Sequence, residues 1–512
     1  MKTLFSPAGV LFLACCAFTC SATLAADPAD PIEALRLRLE KLEQDNARLQ
    51  ERVDELNKGP QFLTPEAVKL QETAVLPPSV GEVEKFDELI DRSALQEQQI
   101  SLQETKLNSL QQTLNSMKSA AAKTTYPSVR VTGFFQADSV WVQQSPDNQL
   151  ALVNQDTGPP MALGDIQDGA DFRRTRLAAT GDVWENVSYM IEMDFAFAGR
   201  PSFMDVYLDM HDIPLLGNVR VGQWRQPFGM DALTSVKDLM FLERALPFAF
   251  VPFRQTGVGF YDSNEELGVT WAASAFRYPV DAYGGNVGDN GGYGGSTRLT
   301  GLLVEGDNNE IVHVGFNYAY LDPSNDAVQY RNQPEIFDNQ TPGAVGPANT
   351  TLPFFVNTGI LPTQNINLYG VELAGSYGSL LAQSEFMAAR VDRTTGSNLT
   401  FWGGYAQVSY VLTGEHHAYN KKSGVYGRVI PDAPFKPGCG YGAWEVAGRW
   451  SILDLNDGDI TGNELQDLTL GVNWYLNKYT KFQFNWVHAM LQSTPPNSSL
   501  ADLFAVRAQL DF

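Results

Sequence analysis

The sequence predicts an all-β transmembrane barrel of about 16 antiparallel strands, preceded by an α-helical coiled-coil segment. Its last ten residues, 503–512, alternate between an apolar and a mostly polar face and end on Phe512. Such alternation indicates a strand with one dry and one wet face, and an aromatic end is typical of the closing strand of bacterial outer-membrane barrels. A soluble β-sandwich can end on the same pattern, so the preceding strands have to agree with this prediction.

Residues 1–26 have the pattern of a secretory signal peptide. Lys2 precedes an apolar run from Leu11 to Phe18, and small residues lead up to Asp27. Three of the four cysteines lie in this segment, so the exported chain keeps only Cys439 and is expected to lack an internal disulfide.

The rest of the chain offers no run of about 18 consecutive apolar residues, the length of a membrane-spanning helix. Any membrane crossing after export therefore has to be a closed barrel, in which every backbone polar group is paired. The net charge of -23 argues against nucleic-acid binding, because a phosphate backbone would be repelled.

Residues 27–58 carry a heptad pattern that predicts a coiled coil. The narrow apolar seam favours self-association, while packing of this helix on its own chain remains the alternative. A lone Asn46 in a leucine-rich seam favours parallel dimers, in conflict with the trimer considered below. The candidate oligomerisation residues are Leu35, Leu39, Leu42, Asn46, Leu49, Val53 and Leu56.

The remaining boundaries follow from the change in pattern along the chain. A proline-containing linker is expected at 59–82, a second and weaker coiled-coil helix at 83–120, and a hinge at 121–127. From 128 to 512 the period changes to two, which indicates the barrel domain.

Alternation predicts sixteen strands in this domain, an even number as a barrel of this kind requires. The clearest example has Tyr189, Ile191 and Met193 facing lipid and Glu192 and Asp194 facing inward. A polar interior in a wide barrel predicts a water-filled channel. The strands are expected to start near Val129, Asp171, Val187, Phe203, Asn218, Thr256, Leu267, Ser296, Glu310, Asn365, Leu380, Leu399, Gly442, Leu468, Lys481 and Leu503.

Three long connections rich in Gly, Pro and Asn separate the later strands, at 279–295, 322–364 and 413–441. We expect all three to be extracellular loops, because these are longer than periplasmic turns in such barrels.

Several ordered sequence blocks resemble the phosphate-selective porin family, typified by the O and P porins. The blocks are DFRRTRLAATG (171–181), GQWRQPFGMDALTSVKDLMFLERALP (222–247), RQTGV (254–258) and four near the C-terminus, ending with VRAQLDF (506–512). The resemblance covers roughly residues 129–512. It implies a sixteen-stranded trimeric porin whose third extracellular loop folds into the lumen.

Arginines and lysines line the pore in phosphate-selecting members of that family. The resemblance places Ser235 and Lys237 near the constriction, and Arg173, Arg174 and Arg176 in a matching basic block. Glu243 and Arg244 are predicted to act as a salt-bridged anchor of the infolded loop.

Strand parity independently directs Arg174 and Arg176 toward water, since a buried guanidinium facing lipid would cost about 2–4 kcal/mol. Further arginines on predicted inner faces are Arg130, Arg220, Arg449 and Arg507. Two interpretations stay open: a column of anion-binding groups, or neutralisation by carboxylates on the same wall. Those carboxylates are Asp138, Glu192, Asp194, Asp205, Asp209, Glu445 and Asp511.

These observations favour passive diffusion of small hydrophilic solutes, with anions such as phosphate as candidates, across the bacterial outer membrane. We expect no metal site, because the five histidines lack the spacing of metal ligands. We also expect no enzyme activity, catalytic residue or cofactor. The alternative is a structural protein that tethers the membrane to the cell wall through a periplasmic coiled coil. Expected partners are outer-membrane lipid, small solutes, two further copies of the chain and, for the alternative, the cell wall.

Overall fold

The computed structural model describes residues 126–512, except 154–163, 197–199, 289, 337–351 and 494–497, together with residues 106 and 109. The predicted signal peptide, the first coiled-coil helix with the oligomerisation residues, and the linker lie outside the described residues, as does the second coiled-coil helix apart from residues 106 and 109. None of the helices in the described part of the chain has the length and hydropathy of a membrane-spanning helix.

Sixteen antiparallel strands form one closed wall, so the predicted fold class of the barrel is confirmed. Each strand pairs with the next, and β16 pairs with β1. The strands are β1 Arg130–Gln144, β2 Gly169–Trp184, β3 Val187–Asp194, β4 Ser202–Ile213, β5 Gly217–Arg225, β6 Arg254–Asn264, β7 Val269–Arg277, β8 Tyr293–Gly306, β9 Glu310–Asp322, β10 Leu361–Tyr377, β11 Leu380–Arg393, β12 Leu399–Val411, β13 Ala443–Asp457, β14 Ile460–Asn477, β15 Thr480–Gln492 and β16 Ser499–Asp511.

The wall has an apolar outside and a polar inside, as strand alternation requires. On β14, Leu470 is 47% exposed on the outer face, whereas Thr469 and Asn473 are buried in the lumen. On β3, Ile191 faces outward, and Glu192 and Asp194 face inward. The inner wall is therefore lined by groups that hydrogen-bond to water, to each other or to the infolded loops.

A β-bulge interrupts the pairing of β1 with β2. Gln136 pairs with Arg174, and Ala137 pairs with Phe172, which leaves Arg173 as the extra residue. A bulge redirects the side chains beside it. Arg173 and Arg174, although consecutive, both hydrogen-bond to the same carboxylate in the lumen, that of Glu243.

The two ends of the barrel carry different connections. The turn end has two-residue turns at 185–186, 378–379 and 478–479, and the loop end carries the longer connections after β1, β5, β7 and β9. The connection after β1 contains a short helix, α1 Pro146–Leu152. The predicted extracellular position of 413–441 is wrong, because this connection follows the even-numbered β12 and lies at the turn end. A sequence rich in Gly, Pro and Asn indicates an irregular connection but not the end of the barrel at which it lies. Strand parity decides that end.

Three connections fold into the lumen. The constriction loop, 226–253, contains a short helix, α2 Met230–Leu233, and a 3₁₀-helix, Leu246–Phe250. A second loop-end segment, in the connection between β9 and β10, places Tyr330 near Phe250 of the constriction loop and Phe401 of the wall. The ring centroid of Tyr330 lies 5.0 Å from that of Phe250 and 6.0 Å from that of Phe401. The turn-end loop, 412–442, enters from the opposite side. These segments fill the lumen beside β10–β15 and leave space along β2–β7.

Candidate site in the barrel lumen

The constriction loop is held in shape by charged side chains that bind its backbone. Glu385 of the wall accepts hydrogen bonds from the first backbone N–H groups of α2. Arg244 donates to the carbonyl oxygens of Asp231 and Thr234, at 2.8 and 2.7 Å. These bonds satisfy backbone groups that a short helix leaves unpaired.

Glu243 joins the constriction loop to the wall. Its carboxylate accepts hydrogen bonds from Arg173, Arg174 and Arg507, at 2.8, 3.0 and 2.8 Å. Burial raises the pKa of Glu243, but the three guanidinium groups outweigh that effect and hold the pKa well below its usual value. The carboxylate therefore stays ionised across the physiological range.

The structure differs from the predicted anchor in the contacts of Arg244. Arg244 forms no ion pair with Glu243 among the described residues; it binds carbonyl oxygens of its own loop instead. The two neighbouring residues therefore have separate contacts. Glu243 contacts the wall, and Arg244 keeps the loop folded on itself.

Most of the other predicted arginines contact carboxylates. Arg176 donates to Asp194 at 2.7 Å, and Arg220 donates to Asp209 at 2.5 Å. Arg449 binds Glu335 of the infolded loop-end segment through Nε at 2.7 Å. These pairs agree with the neutralisation that the sequence left open, and they make the arginines part of a rigid network.

Two predicted cations have no carboxylate partner among the described residues. Lys237 lies on the constriction loop, with its Nζ 5.9 Å from the ring centroid of Phe134, and Ser235 lies two residues before it. Arg130 is exposed at the first position of β1, at the turn-end rim. Lys237 is thus the predicted cation that is freest to meet a solute inside the lumen.

Three neighbouring cavities lie along β2–β7. The outer cavity, at the loop end, has about 370 Å³, the middle cavity has about 210 Å³, and the two share Arg176, Val236 and Arg254. The middle cavity and the inner cavity, again about 370 Å³, share Met190, Asp205 and Arg225. The shared residues show that the three cavities are neighbours beside the constriction loop, and we call this series of cavities the route.

The route carries more positive than negative side chains. The outer cavity is lined by Arg173, Arg174, Arg176, Arg244 and Arg254 against Glu243, Asp281 and Glu335. The middle cavity is lined by Arg176, Arg225, Lys237 and Arg254 against Glu192 and Asp205. The inner cavity is lined by Arg220, Arg225, Arg298 and Lys422 against Asp205 and Asp262. Each cavity therefore has two more cationic than anionic groups on its surface.

The route includes some of the predicted site residues and excludes others. Among the described residues that line the three cavities, Arg130, Arg449 and Arg507 do not appear. Arg225, Arg254 and Arg298 line the route but were missed by the sequence analysis. Strand parity puts Arg298 on the inner face of β8, so a more complete use of alternation would have found it.

The described residues contain no group of three or more His, Cys, Asp or Glu arranged to hold a metal ion. Two histidines serve as hydrogen-bonding groups inside the barrel. His313 contacts Glu372 at 3.1 Å, and His417 contacts Glu445 at 2.6 Å.

A closed sixteen-stranded barrel with a polar lumen and an infolded constriction loop defines a porin, a channel of the outer membrane. The chain belongs to the family described as phosphate-selective porin O and P, whose model matches residues 150–512.

Individual proteins of known sequence are also similar to this chain. Porin O of Pseudomonas aeruginosa is 26% identical over 375 residues, which cover 68% of this chain and 83% of that protein. An uncharacterised protein of Caulobacter vibrioides is 27% identical over 359 residues, covering 67% of this chain and 68% of that protein. The structure of an anion-selective porin from Comamonas acidovorans aligns at 13% identity with a TM-score of 0.41, covering 75% of this chain and all of the other.

Proposed function

We propose that this porin favours small anions, inorganic phosphate among them, over cations. The observation that carries this proposal is the excess of two cationic groups in each of the three cavities. A chain with a net charge of -23 has an acidic surface overall, so the route differs in sign from the rest of the molecule. The charge that borders the pore determines which ion enters it.

Paired arginines can still attract an anion. Asp194, Asp209 and Glu372 pair with Arg176, Arg220 and Arg298 and reduce the field, but these carboxylates do not line the three cavities. Arginine has five N–H donors, so a guanidinium group that binds a carboxylate on one edge retains donors on another. An anion that passes from cavity to cavity would therefore bind weakly and repeatedly, as conduction requires.

Lys237 and Ser235 are proposed to select anions in the middle cavity, which has the smallest volume of the three. Both line this cavity together with Arg176 and Arg254 of the wall. The wall arginines are fixed by ion pairs, whereas the lysine has no such partner among the residues that the structure describes. An ammonium group without an ion pair suits transient contact with a passing anion.

We further propose that the porin assembles as a homotrimer through the side that includes β3 and β5. These strands have 8 and 9 residues, whereas β10 and β14 have 17 and 18. A membrane crossing takes about 9–11 residues per strand. Strands this short suit contact with a neighbouring protein subunit better than contact with lipid. The periplasmic coiled coil and the tethering role depend on residues 27–125 and stay predictions.

Titration of the channel with phosphate tests the proposed selectivity. The refolded protein in planar bilayers should conduct chloride, and added phosphate should reduce that current in a saturable manner. Sulfate serves as a second divalent anion, and a neutral sugar of similar size serves as the control for steric block. A current that responds equally to the sugar and to phosphate would contradict anion binding on the route.

A further inference from the structure

Two phenylalanines of the constriction loop lie among the arginines of the outer cavity. Phe248 and Phe253 are half-buried, and their rings meet edge to face with centroids 4.8 Å apart. Both line the outer cavity together with Arg244 and Arg254. Inorganic phosphate has no apolar surface, so phosphate transport alone does not explain this aromatic pair.

The backbone of Phe253 is held in an unfavourable conformation. Its φ of 49° lies in the left-handed region, which bulky residues rarely adopt. The Phe253 carbonyl accepts a hydrogen bond from the backbone N–H of Gln226 at 2.7 Å, which closes the base of the loop. Strained conformations persist where the surrounding structure fixes them, and they concentrate at functional sites.

The Phe253 ring lies close to two guanidinium groups. The guanidinium carbon of Arg244 lies 5.3 Å from the ring centroid, and that of Arg254 lies 4.8 Å away. Both distances are in the range of cation–π contact. Both arginines therefore lie beside one ring, and all three residues line the outer cavity.

Each of these arginines has one uncommitted nitrogen. Arg244 uses Nε and Nη2 to bind loop carbonyls, and Arg254 uses Nε and Nη2 to bind Asp205. Nη1 of each has no hydrogen-bond partner among the described residues, and neither Nη1 is a buried unpaired atom. Neither Nη1 is fully buried, and both residues line the outer cavity, so both nitrogens can donate to an anion there.

We propose that the outer cavity binds small organic anions that carry an aromatic or comparable apolar body beside a carboxylate. The Nη1 groups of Arg244 and Arg254 would hold the carboxylate, and the rings of Phe248 and Phe253 would pack against the body. A volume of about 370 Å³ is sufficient for a ligand of this size. This inference rests on the proposed anion preference and names a substrate class within it.

Current block by benzoate and by acetate tests the inference. In the full-length channel, benzoate should half-block the chloride current at a concentration about three- to tenfold lower than acetate, the gain expected from aromatic packing. F253L and F248L should each bring the two half-blocking concentrations together. F316L is the matched control, because Phe316 is exposed on the outer face of the wall.

The outcomes separate this inference from the proposed function. Equal block by benzoate and acetate in an anion-selective wild-type channel would overturn the organic-anion site alone. A benzoate preference that survives in both folded variants would overturn it too, because size would then explain the preference. A wild-type channel that selects cations would overturn the proposed function itself.

Discussion

Arg507 on β16 donates two hydrogen bonds to Asp138 on β1, at 2.7 and 2.6 Å, directly across the seam that closes the barrel. The same guanidinium group reaches Glu243 at 2.8 Å and the carbonyl oxygen of Leu242 at 2.5 Å. One buried arginine therefore joins the first strand, the last strand and the constriction loop. The position of the constriction depends on the network that closes the wall.

Replacing Glu243 with Gln should release the constriction loop. The change removes the charge that three buried arginines share, and breaking such a buried network costs about 3–5 kcal/mol in the free energy of unfolding. Urea unfolding of the refolded protein measures this loss. D459N is the control, because the Arg393–Asp459 pair lies at the surface and should contribute little. Equal stability of E243Q and wild type would contradict the anchoring role.

Replacing Lys237 with Gln should lower anion selectivity without changing stability. Lys237 lines the middle cavity and has no ion pair among the described residues. Its replacement therefore removes one positive charge from the route and breaks no ion pair that stabilises the fold. The reversal potential under a KCl gradient should move toward zero. K436Q, which removes an exposed lysine from the turn-end loop, should leave the potential unchanged. An unaltered potential in K237Q would show that the lysine does not affect permeation.

Replacing Arg428 with Gln should loosen both loops that meet inside the barrel. Arg428 belongs to the turn-end loop and binds Asp238 of the constriction loop at 2.7 Å and Asp511 of β16 at 2.8 Å. We expect a noisier single-channel current and faster trypsin cleavage at Lys421 and Lys422. R390Q, which breaks an exposed pair with Asp392, is the control. Unchanged noise and cleavage in R428Q would mean that the turn-end loop is held by other contacts.

The turn-end loop should be held more weakly as the pH rises. Burial lowers the pKa of His417, but the Glu445 carboxylate 2.6 Å away outweighs burial, so the pKa lies above its usual value. A raised pKa stabilises the folded form below the usual histidine pKa, and that contribution is lost as the pH rises through the raised pKa. Current noise should therefore increase from acidic to alkaline pH, and H417Q should remove this dependence. The same pH response in H417Q would assign it to another group.

The sequence predicts the wall of this barrel well and its interior poorly. Alternation is a local property, so the strand beginning at Glu310 and those beginning at Leu380 and Leu399 were predicted at their first residues. Strand β14 was predicted near Leu468 but begins at Ile460, because the polar residues between them obscure the alternation.

The interior depends on contacts between distant residues. Nothing near Glu243 in the sequence identifies Arg507, 264 positions away, as its partner. Parity alone directs Arg449 toward the lumen, but only the folded loop that carries Glu335 decides that this arginine is neutralised and does not line the route. The end at which a long loop emerges likewise requires the full strand count.

The reversal potential of the refolded wild-type protein in a planar bilayer under a KCl gradient tests the central claim most directly. The claim is that the route past the constriction loop is cationic within an acidic protein. We expect discrete current steps and a reversal potential of the sign that chloride permeation produces. Discrete steps with a reversal potential of the opposite sign, from protein shown to be folded, would contradict it.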